Sequence, residues 1–122
     1  MLSKVVLLFG LTEEAGAALA SAFAAAGFGV LPVPPERCSM PLAAILEGGQ
    51  PLVPGNAPPE PMAVFHGLSD SELDRALAVL RKSGAVSLKA VTTPANLRWT
   101  PPELWKNLSA ERKAIKHGKR RH

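Results

Sequence analysis

The sequence has little of what builds a covalently stabilised or membrane-embedded protein. Its 122 residues include one cysteine, Cys38, and no tyrosine. A single cysteine cannot form an internal disulfide or the paired-cysteine part of a zinc site, and it favours a reducing, cytoplasmic compartment. No apolar stretch approaches the roughly 18 residues that a membrane-spanning helix needs. Aromatic residues make up only 5% of the chain and form no stripe on which nucleic-acid bases could stack.

The residues that are present are those of a globular protein. Apolar residues make up 47% of the chain and charged residues 20%, a balance that supports a packed core. The length suits one domain, which we predict over residues 1–122. It divides into halves at 1–46 and 62–116, a linker at 47–61 and a basic tail at 117–122. The linker holds five prolines and three glycines in fifteen positions, a composition typical of a linker or long surface loop.

The two halves resemble one another at a constant spacing. Gly10 corresponds to Gly67, and 67 − 10 gives an offset of 57 positions. The same offset relates Leu11 to Leu68, Thr12 to Ser69, Glu13 to Asp70, Phe23 to Leu80 and Gly27 to Gly84. We interpret the chain as a duplicated β-α-β-α unit; the alternative is convergence of two similar units.

Each half carries strand and helix signals in the same order. The apolar runs Val5–Phe9 and Met62–Phe65 predict buried strands, and second strands are predicted at 28–33 and 87–92. Thr12 and Ser69 are predicted N-caps of helices at 13–26 and 70–83, which Gly27 and Gly84 should end. Ser69 and Glu72 also match a capping box.

The last helix has the clearest start signal in the chain. Thr100 is a predicted N-cap, two prolines follow it, and Glu103 stands at the third helical position. The helix should span 101–116. It should bury Leu104, Trp105, Leu108 and Ile115. The segment Pro41–Leu46 is its shorter counterpart in the first half.

Composition also predicts the order of the strands. Pro32 and Pro34 cannot donate ladder hydrogen bonds, so the second strand belongs at an edge of the sheet. The fourth strand alternates apolar and polar residues and carries Lys89, as an edge strand does. The two fully apolar runs then take the centre. The predicted fold class is α/β with a four-stranded sheet of order 2-1-3-4, and the relative direction of strands 1 and 3 stays open.

One group of residues in the second half is distinctive beyond these signals. It comprises Phe65-x-Gly67-Leu68-Ser69, Lys89-Ala90-Val91-x-Thr93-Pro94-x-Asn96 and Trp99-Thr100-x-x-Glu103-Leu104. Through these residues, positions 62–116 resemble a small bacterial family known as domain of unknown function 3783. The resemblance implies no activity, substrate, cofactor or catalytic residue. The first half lacks the Asn-x-x-Trp-Thr stretch and is interpreted as a diverged copy.

The carboxyl ends of the strands are where an open α/β sheet binds ligands. The candidate ligand-binding residues at these ends are Arg37, His66, Thr93, Asn96 and Trp99. Asn96 could equally hold its own loop, and Trp99 could cover a helix start. Cys38 with His66 could supply a nucleophile and a base, but no nucleophile-elbow motif accompanies the cysteine. We therefore predict no catalytic residue.

Phosphate and nucleotide binding have little support. Acidic residues occupy the first turn of both predicted helices, where they complement the helix dipole and would repel a phosphate. The sequence Gly27-Phe28-Gly29 follows a helix instead of opening one, so it does not match a dinucleotide fingerprint. No cofactor or metal is predicted.

Positive charge is concentrated at the end of the chain. Residues 1–105 hold seven Lys/Arg against nine Asp/Glu, a net charge of −2, whereas residues 106–122 hold seven against one, a net charge of +6. Such a segment could attract nucleic acid or another acidic partner. The candidate contacts are Lys113, Lys116, Lys119, Arg120 and Arg121. No nucleic-acid-binding motif accompanies them.

The preferred interpretation is a non-enzymatic binding or interaction module with an unknown protein partner. One alternative is an accessory binder of nucleic acid or of an acidic partner through the basic C-terminal segment. Another is a small-ligand binder or enzyme at the carboxyl ends of the strands.

Overall fold

A computed structural model describes residues 3–116, except for the side chains of Ile115 and Lys116. The strands are β1 (Val5–Phe9), β2 (Val30–Pro32), β3 (Met62–His66) and β4 (Leu88–Val91). The helices are α1 (Glu13–Ala25), α2 (Leu42–Leu46), α3 (Asp70–Ser83) and α4 (Pro101–Lys116), with 3₁₀ turns at Pro35–Ser39 and Asn96–Arg98. Each half therefore repeats the order strand, helix, strand, 3₁₀ turn, helix. The duplication itself stays an interpretation.

The sheet has the predicted order β2-β1-β3-β4. β1 is parallel to β2 and β3 is parallel to β4, but β1 and β3 are antiparallel, with Val5 opposite His66 and Phe9 opposite Met62. The direction that the sequence left open is thus settled. As a result, β1 and β2 end at one end of the sheet, and β3 and β4 end at the opposite end.

Alternating side chains divide the core between the two faces of the sheet. On β1, Val5, Leu7 and Phe9 join a cluster that includes residues of α2 and α4. Val6 and Leu8 point to the other face and join a cluster with α1 and α3. The central strands are therefore covered by helices on both faces, which explains why both are continuous apolar runs.

The predicted helix starts are present. The Thr12 side chain accepts a hydrogen bond from the Ala15 amide at 3.1 Å. At α3, the Ser69 amide donates to Glu72 Oε1 at 2.8 Å and the Glu72 amide donates to Ser69 Oγ at 3.2 Å. The Ser69 backbone and the Lys4 ammonium both stabilise the carboxylate, which lowers the pKa of Glu72 to about 2. These reciprocal bonds confirm the capping box.

The edge strands are shorter than predicted. β2 covers three residues and β4 covers four, and single backbone hydrogen bonds continue the pairing beyond them, from the Val33 amide to the Leu8 carbonyl and from the Thr92 amide to the Phe65 carbonyl. The burial of Leu104 is confirmed, while Trp105 and Leu108 are only half-buried. The predicted burial of Ile115 and the whole tail at 117–122 lie outside the described part. Within residues 3–116, no helix combines the length and apolar character needed to cross a membrane.

Candidate functional site

The five candidate ligand-binding residues do not form one group. Arg37 lies in the 3₁₀ turn that follows β2. His66 ends β3, and Thr93 and Asn96 follow β4, at the opposite end of the sheet. The antiparallel pairing of β1 with β3 causes this separation. A site that uses Arg37 together with His66 is not assembled.

The polar residues after β3 and β4 bond mainly to one another and to the backbone. His66 Nδ1 lies 2.8 Å from Thr92 Oγ1. Asn96 is buried, accepts a bond from the Thr93 amide at 2.7 Å and donates to the Val91 carbonyl at 3.1 Å. Thr93 in turn accepts from the Asn96 amide at 3.0 Å. Of the two roles open to Asn96, the structure supports the one of holding its loop.

Trp99 also has a structural position. Its side chain is half-buried against the cluster on the α2 and α4 face of the sheet. Its carbonyl accepts a hydrogen bond from the Leu42 amide at 2.9 Å. Because the Leu42 amide belongs to the first turn of α2, Trp99 joins this helix to the loop before α4.

Arg37 holds the end of α2. Its guanidinium Nη2 donates to the carbonyl of Ile45 in the last turn at 3.3 Å and to that of Gly49 beyond the helix at 3.1 Å. Arg37 Nε is buried and has no hydrogen-bond partner among the described residues. The side chain is thus largely committed to packing the segment that follows β2.

Cys38 does not meet the requirements of a nucleophile. The side chain is 2% exposed and belongs to the core. Burial raises the pKa of its thiol to about 11, the nearby Glu36 carboxylate adds to the rise, and Arg37 opposes it. A thiol with that pKa stays protonated at neutral pH, whereas the thiolate is the reactive form.

His66 is not placed to act on Cys38. His66 lies opposite Val5, the first residue of β1, while Cys38 lies in the 3₁₀ turn that follows β2. The His66 ring bonds to Thr92, and the Cys38 thiol lies 3.8 Å from the Pro34 carbonyl oxygen, so neither is hydrogen-bonded to the other. Within residues 3–116, no three His, Cys, Asp or Glu side chains form a group that could hold a metal ion.

An open cleft lies at the carboxyl ends of β1 and β2, between the start of α1 and the chain that leaves β2. We call it the α1–β2 cleft, and its volume is about 610 Å³. One side is formed by Leu8, Leu11, Thr12, Glu13, Gly16 and Ala17, and the other by Pro32, Val33, Pro34, Pro35 and Glu36. The lining is therefore mostly apolar, with a hydroxyl and two carboxylates.

A missing side chain helps to open this cleft. Gly16 is buried in α1, and a Cβ built there would meet only Leu11 Cβ, at 3.9 Å. At the offset of 57, 16 + 57 gives Leu73, whose side chain packs against the core under α3. The first half thus has space where the second half has a leucine.

Sequence reasoning did not find this cleft. It looked for polar residues at strand ends, and the lining is mainly prolines, small residues and leucines. Two signals were available: a glycine inside a predicted helix, which costs stability relative to alanine, and three prolines at 32–35. Pro32 and Pro34 predicted only that the second strand lies at an edge of the sheet, and Gly16 entered no prediction.

The comparison with protein families concerns the other half of the chain. A family model described as a domain of unknown function (DUF3783) matches residues 61–115. The match confirms the resemblance of the second half and carries no activity. No curated protein and no solved structure gives a significant match. Every residue that lines the α1–β2 cleft lies outside the segment that matches DUF3783.

The end of the DUF3783 segment carries part of the basic region. Lys113 is exposed on α4. Arg112 is paired: its two terminal nitrogens donate to Glu60 at 2.5 and 3.2 Å, and Trp105 Nε1 donates to Glu60 Oε1 at 3.0 Å. These bonds, led by Arg112, lower the pKa of Glu60. The side chain of Lys116, and all of Lys119, Arg120 and Arg121, lie outside the described residues.

Proposed function

We propose that this protein is a non-enzymatic binding module whose α1–β2 cleft receives part of a protein partner. The observation that carries the proposal is the cleft itself. Its volume of about 610 Å³ lies within the range of pockets that bind small ligands or protruding side chains, roughly 300–1,000 Å³. Its position at the carboxyl ends of two parallel strands is the usual place for ligands in such sheets.

The apolar lining supplies the driving force. Leu8, Leu11, Val33 and the neighbouring prolines form most of the surface. Burying one leucine-sized side chain contributes about 1.5–3 kcal/mol before the costs of association. One or two such side chains would therefore give weak, reversible binding, as suits an interaction module.

A non-enzymatic role is supported by the state of the reactive residues. The Cys38 thiol is buried with a raised pKa, and His66 bonds to Thr92 at the far end of the sheet. The cleft adds a hydroxyl and carboxylates, but the Thr12 oxygen already caps α1. The proposal places the protein in a bacterial cytoplasm, in line with its buried free thiol and with the bacterial family that its second half resembles.

The test is to fill the cleft without disturbing the fold. Gly16→Leu places in α1 the side chain that α3 already carries at the corresponding position. Binding of small apolar fragments would be followed by ¹H–¹⁵N correlation spectra of the full chain. We expect shifts at Leu11, Ala17 and Val33 in the natural protein and their loss in Gly16→Leu.

The matched control adds the same bulk to the same helix away from the cleft. Ala18 is exposed on α1 and does not line the cleft, so Ala18→Leu should bind fragments as the natural protein does. Fragment shifts that persist in Gly16→Leu, or that cluster around His66 and Thr92, would contradict the proposal.

A second candidate function is supported by the distribution of charge. The +6 segment at 106–122 follows a body of net charge −2, and Lys113 is exposed on α4. This segment would attract nucleic acid or another acidic partner, and the affinity would fall as salt rises. Arg112 contributes less than its charge suggests, because Glu60 already pairs with it.

A further inference from the structure

We propose that the partner enters the α1–β2 cleft with a lysine or arginine side chain flanked by apolar residues. This inference rests on the proposed function and adds the chemistry of the occupant. It draws on the charges, hydrogen-bonding groups and shape of the cleft, and on the contrast between the two halves of the chain.

The charges of the cleft have one sign. Glu13 and Glu36 stand on opposite sides of it, and both are exposed. No lysine or arginine of the described chain lines the cleft. Glu13 partly offsets the positive end of the α1 dipole, but neither carboxylate forms an ion pair among the described residues, so both attract a cation that enters between them. An anionic occupant would be repelled by both.

The hydrogen-bonding groups of one wall point to the same chemistry. Three of the four residues at 32–35 are prolines, which have no amide hydrogen. The fourth, Val33, donates its amide to the Leu8 carbonyl at 2.8 Å. Within this stretch no amide hydrogen is left for a ligand, and the polar groups are carbonyl oxygens, of which that of Pro34 already accepts from the Arg37 amide at 3.1 Å. The stretch at 32–35 therefore suits a hydrogen-bond donor. Ammonium and guanidinium groups carry several donors and no acceptor.

The apolar part of the cleft suits the stem of such a side chain. Lysine and arginine bury their methylene groups along apolar surfaces while the charged group stays near water. Gly16 leaves space beside Leu11, and the carboxylate of Glu13 lies at the start of the same helix. A stem over the apolar residues would place its charge near the carboxylates.

The second half provides an internal comparison. Adding 57 relates Pro32 to Lys89 and Glu36 to Thr93. At the corresponding positions, the second half therefore has a lysine in place of a proline and a threonine in place of one carboxylate. Leu73 stands at the position that corresponds to Gly16. The features that favour a cationic occupant occur together only in the first half. A cation-binding cleft is thus not a by-product of the repeated fold.

The test compares three peptides that differ in one side chain. The probes are acetyl-Gly-Leu-Lys-Leu-Gly-amide and the same peptide with norleucine or glutamate in place of lysine. Each would be titrated into the full ¹⁵N-labelled chain, and dissociation constants would be taken from cleft resonances. We expect the lysine peptide to bind about three- to tenfold more tightly than the norleucine peptide, as exposed ion pairs allow. The glutamate peptide should bind most weakly.

Protein variants assign the effect to the two carboxylates. Glu13→Gln and Glu36→Gln should each reduce the preference for lysine over norleucine, and the double variant should abolish it. Glu14→Gln is the matched control, because Glu14 lies in the same helical turn but does not line the cleft. Raising the salt concentration should weaken only the lysine preference.

The outcomes separate the two proposals. Equal affinity for lysine and norleucine peptides, with binding lost in Gly16→Leu, would overturn the cationic occupant and leave the binding cleft standing. Peptide binding that survives in Gly16→Leu would overturn both. A lysine preference that Glu14→Gln removes as fully as the double variant does would also refute the inference. So would an absence of lysine-peptide binding at millimolar concentration.

Discussion

Gly67→Ala is the substitution that tests the fold most directly. Gly67 follows β3 with φ 76°, and a Cβ built on it would lie 1.9 Å from the Ser3 carbonyl oxygen. This close approach exists because β3 runs antiparallel to β1, which places Val5 opposite His66. If β1 and β3 were parallel, Gly67 would lie at the other end of β1 from Ser3. The cost of a methyl group here therefore reports on strand direction.

The expected loss can be built from two contributions. A left-handed backbone costs an alanine about 1–2 kcal/mol, of which about 0.4–1 kcal/mol is regained because alanine restricts the unfolded chain. Contacts under 3.0 Å essentially never occur for a real Cβ, so the backbone must shift by about 1 Å to clear the oxygen. Such overpacking costs about 1–3 kcal/mol. Gly67→Ala should therefore destabilise the protein by about 2–4 kcal/mol.

Gly27→Ala is the matched control. Gly27 has φ 92° after α1, but a Cβ there meets nothing within 4 Å. Gly27→Ala should be destabilised only by the cost of the left-handed backbone, about 1 kcal/mol. Urea unfolding followed by circular dichroism would give both values, with equal m-values as the condition for comparing them. A Gly67→Ala variant no less stable than Gly27→Ala would refute the antiparallel pairing of β1 with β3.

Three further predictions follow from the caps, the buried thiol and the tail. Thr100→Ala should lose about 1 kcal/mol in thermal denaturation, because Thr100 and Glu103 bond reciprocally at 2.9 and 3.4 Å; an unchanged midpoint would mean that the cap contributes nothing. The thiol of Cys38 ionises near pH 9 when unfolded and near 11 when folded. The free energy of unfolding should therefore fall by about 2 kcal/mol between pH 8 and 11. Cys38→Ala should lack this loss in urea titrations, and the same fall in both proteins would exclude the thiol as its source. Any binding of labelled oligonucleotide should have a dissociation constant of roughly 10⁻⁴–10⁻⁶ M. Deleting residues 117–122 should weaken this binding and leave the free energy of unfolding unchanged. Equal affinity of the intact and truncated proteins would point to a site within residues 1–105.

The elements that could be predicted are those whose signals are local. A hydroxyl and a glutamate three positions apart define the starts of α3 and α4, and both capping interactions are present. The strand order was also accessible, since a proline in β2 and a lysine in β4 mark edge strands and continuous apolar runs mark central ones. Each of these inferences uses only the chemistry of a few neighbouring residues.

The candidate site could not be predicted in the same way. A cleft is defined by side chains that are absent or small, and Gly16 carries no chemistry that a motif search would select. The polar residues that do attract attention, such as Asn96 and Arg37, are committed to bonding backbone groups of nearby residues. Buried polar groups are normally paired, so a polar residue at a strand end is more often structural than free for a ligand.

The direction of β3 depends on where the linker goes. The strands Val5–Phe9 and Met62–His66 are buried throughout or nearly so. Their apolar composition therefore gives no indication of whether they pair in parallel or antiparallel. α2 spans five residues, or about 7.5 Å, and cannot carry the chain back along β1, which is about 17 Å long. The linker could cover that distance, but the Val53 carbonyl accepts from Ser39 Oγ at 2.7 Å and the Gly55 amide donates to the Glu36 backbone carbonyl at 3.0 Å.

These bonds tie the linker to the end of the sheet where β2 finishes. The chain then enters β3 beside the end of β1, where the Glu60 carbonyl approaches Gly10. β3 must therefore run back along β1. The short α2 and its tethered linker thus decide the direction of β3. The same direction separates Arg37 from His66. It also leaves the α1–β2 cleft at the end of the sheet opposite the carboxyl ends of β3 and β4.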